Sequence, residues 1–142
     1  MRFMFALAAL AALSGCAIRQ DVRPVTFAPT AAREVCIIEH SATRAAFLDE
    51  YRRVLESRGF QTRVLPEHSP TNSCHVTSTY VARWSWDLTI YMSYAELHVF
   101  DDGREVGHAI YDSRLGGARL DKFVDAETKI AELVDQLFVQ QR

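Results

Sequence analysis

Apolar residues gather first in one unbroken run, Phe3 to Leu13, directly behind Met1 and Arg2. Further on they recur in shorter, periodic sets. Val35, Cys36, Ile37 and Ile38 form a largely β-branched block that predicts a buried strand over residues 34–39. Phe47, Leu48, Tyr51, Val54 and Leu55 then line up as one helical stripe and predict a helix over 43–58. Ser41 or Thr43 is placed to cap its start, Gly59 to end it in a left-handed conformation, and Phe60 to fold back on the last turn. A short strand over 60–65 stops at Pro66, and Pro70 and Asn72 mark the loop that follows.

From Cys74 the period changes to two. Val76, Tyr80, Ala82, Trp84, Trp86, Leu88, Ile90 and Met92 fall on one face of an alternation too long for a single strand in a small domain. A break near 85–87 divides it into two antiparallel strands, 74–84 and 88–100. Ala95, Leu97 and Val99 continue the apolar series on odd numbers, which predicts a bulge near Ser93 or Tyr94, or a strand apolar on both faces. Asp102-Gly103 is a two-residue hairpin signal. Pairing outward from it sets Val99 opposite Val106, Leu97 opposite His108 and Ala95 opposite Ile110, with Tyr94 facing Tyr111 on the other side. His108 then lies on an apolar face and reads as a core histidine with a hydrogen-bonded partner. After Gly116-Gly117, the stripe Ile130, Leu133, Val134, Leu137 and Phe138 predicts a final helix over 125–140, with Asp125 and Glu127 at its positive end. The order β-α-β-β-β-β-α argues for an α+β two-layer sandwich: a mostly antiparallel sheet of about five strands with both helices on one face.

Composition changes this picture little, but the N-terminus changes it a good deal. A basic start, an apolar run too short to span a bilayer and small residues after it make a secretory signal. Leu13-Ser14-Gly15-Cys16 resembles the lipobox of bacterial lipoproteins. The resemblance implies cleavage before Cys16, a diacylglyceryl group on its thiol and an acyl chain on its new amine, an anchor of several chains that does not exchange readily. Ala17 stands where an aspartate would favour inner-membrane retention, so the outer membrane, on its periplasmic side, is the expected location. The expected organisation is a signal peptide over 1–15, a lipidated tether over 16–33 carrying Pro24 and Pro29, and a single periplasmic domain over 34–142. The alternative for the tether is that Val25 and Phe27 pack on the domain as an extra edge strand. A formal net charge of -2, with arginines that do not cluster, gives no reason to expect nucleic acid as a partner.

With Cys16 lipidated, Cys36 and Cys74 remain as an even pair in an oxidising compartment, and a disulfide is the simplest reading. A zinc site from Cys36, His40, Cys74 and His75 is disfavoured, because neighbours on a strand point to opposite faces. No metal site, cofactor or catalytic residue is expected. There is no Gly-x-Ser-x-Gly elbow, no His-Glu-x-x-His and no phosphate loop at the Gly-Gly pair. Glu96, Asp101, Asp102 and Glu105 read as solvated turn and strand positions. The aromatic residues are more telling. Tyr80, Trp84, Trp86, Tyr94, Phe100 and Tyr111 exceed what one helix-covered face requires, so Tyr80, Trp84 and Trp86 are candidates for a binding surface.

The lipobox, Trp84-Ser85-Trp86-Asp87-Leu88, Tyr94-Ala95-Glu96, and Gly116-Gly117 followed by Leu120 to Phe123 and Ala126 to Ile130 together resemble an uncharacterised family of small Gram-negative outer-membrane lipoproteins. The likeness spans most of the mature chain and implies an anchor but no activity. In element order alone the chain is also similar to periplasmic lipoproteins of the curli-secretion and penicillin-binding-protein-activator type. Two functions follow as expectations. The first is a non-enzymatic interaction or envelope-assembly module that holds another envelope protein or copies of itself. The second is a binder of a small ligand or envelope polysaccharide through the aromatic surface. A concave, solvent-reachable cluster of the three aromatics would favour the second; buried or scattered aromatics favour the first.

Overall fold

The computed structural model describes residues 17–26 and 33–139. Six strands form one sheet: β1 (Arg19–Arg23), β2 (Glu34–Ile38), β3 (Gln61–Leu65), β4 (Val76–Asp87), β5 (Thr89–Asp101) and β6 (Arg104–Asp112). Helix α1 (Ala45–Ser57) follows β2, and a 3-10 turn (Leu120–Phe123) leads into α2 (Ala126–Leu137). The sheet order is β1-β6-β5-β4-β2-β3. Its β1, β6, β5 and β4 pairings are antiparallel, while β2 runs parallel to both β3 and β4.

The class, the two-layer arrangement and the mostly antiparallel pairing agree with the sequence, but the sheet has six strands rather than five and is mixed, with a parallel edge at β2 and β3. The sixth strand comes from the segment read as tether. Arg19 to Arg23 pair with Asp112 to His108, and Val25 is buried, its N–H donating to Leu137 O at 2.8 Å. Residues 20–23 lack apolar alternation because only Val22 and Gln20 face the helices, and Gln20 is satisfied by Glu132 and Gln136 of α2. The parallel pairs follow from α1, which carries the chain from the end of β2 back to the start of β3.

Both helices cover the same face. Phe47, Tyr51, Val54 and Leu55 of α1 and Ile130, Leu133, Val134 and Leu137 of α2 meet Val35, Ile37, Val76, Tyr80, Leu97, Val99, Ala109 and Tyr111 in one core. Thr43 does not cap α1. Its hydroxyl instead accepts from Ala82 N and pairs with His40 Nδ1, while Asp125 caps α2 by accepting from Thr128 N. Gly59 takes the left-handed conformation (φ 88°), and Phe60 folds back to meet Phe138, ring centroids 5.2 Å apart.

Two irregularities set the register. Between Arg83 and Trp84 the β4–β5 ladder slips by one residue at Ser93, where the apolar series changes parity. Ser93 is buried and held there by Ser85 Oγ at 2.7 Å and by Ser113 N, which donates to Ser93 O at 2.9 Å. A second slip lies in the β5–β6 hairpin. Asp102 and Gly103 have the positive φ of the expected turn, and Asp101 pairs with Arg104. Val106 then bulges out, so that Val99 pairs with Gly107, Leu97 with Ala109 and His98 with His108. The predicted pairing of Leu97 with His108 is therefore corrected by one residue. The cause is the chain after β1. A side chain at 107 would stand 2.6 Å from Val25 Cγ2 and 2.8 Å from Arg23 O, so only glycine fits the core face there.

Candidate functional site

The three aromatic candidates do not form one surface. Tyr80, only 3% exposed, stacks on Phe47 with centroids 5.4 Å apart, and its hydroxyl accepts from His40 N at 3.1 Å. Trp84 is half-buried. It meets Phe47 edge-on at 6.5 Å and carries the Arg44 guanidinium 4.6 Å above its ring. Trp86, two residues on, is 74% exposed. Alternation puts all three on the helix side, but α1 covers only the first and edges the second.

Trp86 belongs to a different feature, one end of the sheet. Asp112 at the close of β6 pairs with Arg19 at the start of β1 and with Tyr94, so the β4–β5 turn, the β6 exit and the point where the chain enters β1 share that end. Six large hydrophobic side chains are exposed among the described residues: Trp86, Leu88, Ile90, Leu115, Leu120 and Val139. All but Val139 belong to the β4–β5 turn or to the segment after β6. Lys122 ties the two segments together, donating to Asp87 and to Gly117 O, and Phe123 meets Tyr91 edge-on at 5.2 Å. Arg114 and Arg119 border the patch, paired to Asp112 and Asp121. Leu88 forms the turn itself with φ 63°, a conformation that disfavours a bulky side chain, and it is 82% exposed. Neither its packing nor its backbone accounts for a leucine at that position.

The sheet face away from the helices is polar. Thr79, Arg83, Tyr94, Glu96, His98, His108 and Asp112 share it, with Val81 and Ile110 between them. Glu96 accepts from Tyr94 OH at 2.5 Å and contacts His98 Nε2. Desolvation first, and then the Glu96 carboxylate beside it, push the Tyr94 phenol up to about 12. Burial alone would raise Glu96 and Glu105. Tyr94 and His98 at Glu96, and His108 and His98 at Glu105, outweigh it, so both carboxyls lie below their ordinary value of 4.5. A depressed carboxyl stabilises the fold above its unfolded value and loses that contribution as pH falls through the folded one. Thermal unfolding in a pH series is expected to show stability from this network held above pH 4.5 and lost below it. The Glu96→Gln/Glu105→Gln variant should show a shallower acid loss; an unchanged acid limb would mean that the two carboxyls contribute nothing.

Cys36 and Cys74 are bonded to each other, and Arg63 lies over the bridge, donating to Cys74 Sγ at 3.0 Å and pairing with Glu34 at 2.9 Å. Cys16 lies outside the described residues, one position before Ala17. No helix among the described residues is long and apolar enough to cross a membrane.

No protein family profile matches the sequence, and no curated protein is similar to it. Its fold does have solved counterparts. A PelC dodecamer from Paraburkholderia phytofirmans superposes with a TM-score of 0.55 at 16% identity, covering 87% of this chain and 99% of that one. A leucine-to-methionine variant of the PelC dodecamer from the same organism gives 0.54 at 17% identity, covering 87% and 100%. At such identity the likeness concerns the fold.

Proposed function

We propose that this protein is a lipid-anchored, non-enzymatic module of the outer-membrane periplasmic face, working in envelope assembly by binding copies of itself or another envelope protein. Acyl chains on Cys16 hold it, the apolar end rests against the lipid, and the polar sheet face is turned outward. The observation that carries the reading is the clustering of Trp86, Leu88, Ile90, Leu115 and Leu120 at the end of the sheet from which Ala17 leads to Cys16. A soluble domain gains nothing by exposing such a patch, whereas next to a lipid anchor it adds buried apolar area, with indole and guanidinium groups suited to the headgroup level. The solved PelC chains of this fold are dodecamers, which supports self-association. The resemblance of the N-terminus to a lipobox supports the anchor. The ligand-binding alternative loses its platform, because Tyr80 is buried beneath α1 and cannot join Trp84 and Trp86.

Replacing the acyl acceptor tests the anchor. Cys16→Ser is expected to leave the protein as uncleaved precursor or free in the periplasm. A variant still in the outer-membrane fraction after a high-salt wash would remove the anchor from this reading. Crosslinking the wild-type membranes before solubilisation gives the second readout. Products at multiples of the monomer mass support self-association; a monomer that captures no envelope protein would leave the module without a partner.

A further inference from the structure

The polar sheet face holds a cluster that the anchor and the apolar end do not use. His98 of β5 and His108 of β6 pair across the strands with ring centroids 5.8 Å apart, both side chains less than a quarter exposed. Glu105 places one carboxylate between them, Oε2 at 3.2 Å from His98 Nδ1 and Oε1 at 3.1 Å from His108 Nδ1. The outer nitrogen of each ring also meets a carboxylate: His98 Nε2 meets Glu96 Oε1, and His108 Nε2 lies 3.1 Å from Asp21 Oδ2 of β1.

We propose that His98 Nδ1, His108 Nδ1 and Glu105 Oε2 bind one divalent transition-metal ion, best matched by zinc. His98, Glu105 and His108 each offer one ligand atom, and these lie within 4.8 Å of one another. Zinc–nitrogen bonds of about 2.0–2.1 Å in a tetrahedron put neighbouring ligand atoms about 3.4 Å apart, close to the 3.2 Å between Glu105 Oε2 and His98 Nδ1. The outer carboxylates supply the rest of the design. By accepting from Nε2–H they fix the tautomer that leaves each Nδ1 lone pair turned inward, as second-shell carboxylates do for metal-bound imidazoles. A neutral ring has one N–H to donate, so of the two carboxylates that each ring meets one faces a bare nitrogen lone pair unless a cation lies between them. Charge points the same way. Three carboxylates, Asp21, Glu96 and Glu105, surround the two rings, and the guanidinium in direct contact is Arg23, 3.1 Å from Glu105 Oε1. Even with Arg83 also near Glu96, negative charge remains in excess for a cation to offset, and Arg23 leaves Oε2 available to it. Two imidazoles and one carboxylate leave a fourth position, open on the uncovered face, for water or a donor oxygen of a bound molecule. The other acid–histidine group, His75 with Asp101 and Asp102, offers one ring nitrogen on an exposed hairpin and serves as the control.

The test is a calorimetric titration of chelator-treated mature protein with zinc chloride, together with the visible spectrum after adding cobalt(II). One equivalent is expected to bind, with tetrahedral cobalt bands. His98→Ala/His108→Ala should abolish both signals. Asp21→Asn, which removes no ligand, should weaken binding by about 10- to 100-fold. His75→Ala should change neither. Circular dichroism verifies that each variant is folded; if the double variant is not, His108→Gln and Asp21→Asn decide. No saturable one-to-one binding, binding that survives in the folded histidine variants, or binding lost with His75→Ala overturns the proposal.

Discussion

Replacing Phe47 with alanine is expected to cost about 3 to 5 kcal/mol, the usual range for a buried phenylalanine left as a cavity. Phe47 is the residue of α1 that meets the most aromatic neighbours. It stacks on Tyr80, stands edge-on to Trp84, and lies 6.4 Å from Tyr51 in its own helix. Tyr80 and Trp84 sit on a disulfide-tied sheet and Tyr51 on the packed helix, so the gap cannot close by side-chain adjustment alone. Total stabilities of about 5 to 15 kcal/mol make this a large fraction of what such a domain has. Urea unfolding, read at constant slope against denaturant, checks it. Trp86→Ala in the same assay should stay within about 0.5 kcal/mol, since its side chain is mostly in water. A loss below about 1 kcal/mol for Phe47→Ala would mean that α1 does not pack on this part of the sheet.

The Cys36–Cys74 bridge is expected to contribute about 4 kcal/mol. It closes a sequence separation of 38 residues, and the chain-entropy relation gives that order for a loop of this length. The loop contains α1 and β3, so the bond fastens β2 to the start of β4 around the parallel part of the sheet, where pairing is non-local. Cys36 is fully buried, and a free thiol there would not replace the constraint. Cys36→Ala/Cys74→Ala should therefore unfold at markedly lower denaturant. Mass spectrometry after alkylation of denatured, unreduced protein should find neither cysteine modified; two alkylated thiols would contradict the bridge.

Much of this architecture was legible because local pattern and tertiary environment agree. The stripes of both helices, Gly59 as a left-handed end, the Asp102-Gly103 turn and the slip near Ser93 each follow from side-chain chemistry within a few residues. Three features were not legible. Strand β1 reads as tether because its one apolar core residue, Val22, is flanked by Gln20, whose partners lie more than a hundred residues away on α2. The Val106 bulge depends on the crossing of Val25 over Gly107, a contact between distant segments. With the uncorrected register His108 falls among core residues opposite Leu97. With the bulge it faces His98, and the acid–histidine cluster exists only in that register. A glycine inside an otherwise regular strand was the available signal for a bulge. The aromatic candidates differ in exposure from Tyr80 to Trp86, since alternation places residues on a face but does not say how far along it a helix reaches.

The most direct test of the proposed placement is the environment of Trp86 in the anchored protein. The chain has two tryptophans, so Trp84→Phe leaves Trp86 as the single emitter. The lipidated variant would be reconstituted into vesicles whose acyl chains carry bromine, and its fluorescence compared with that in unbrominated vesicles. If the apolar end rests against the membrane, Trp86 emission is blue-shifted, quenched by the brominated lipid and shielded from iodide. Emission typical of water, quenched by iodide and untouched by bromine, would contradict this placement of the domain.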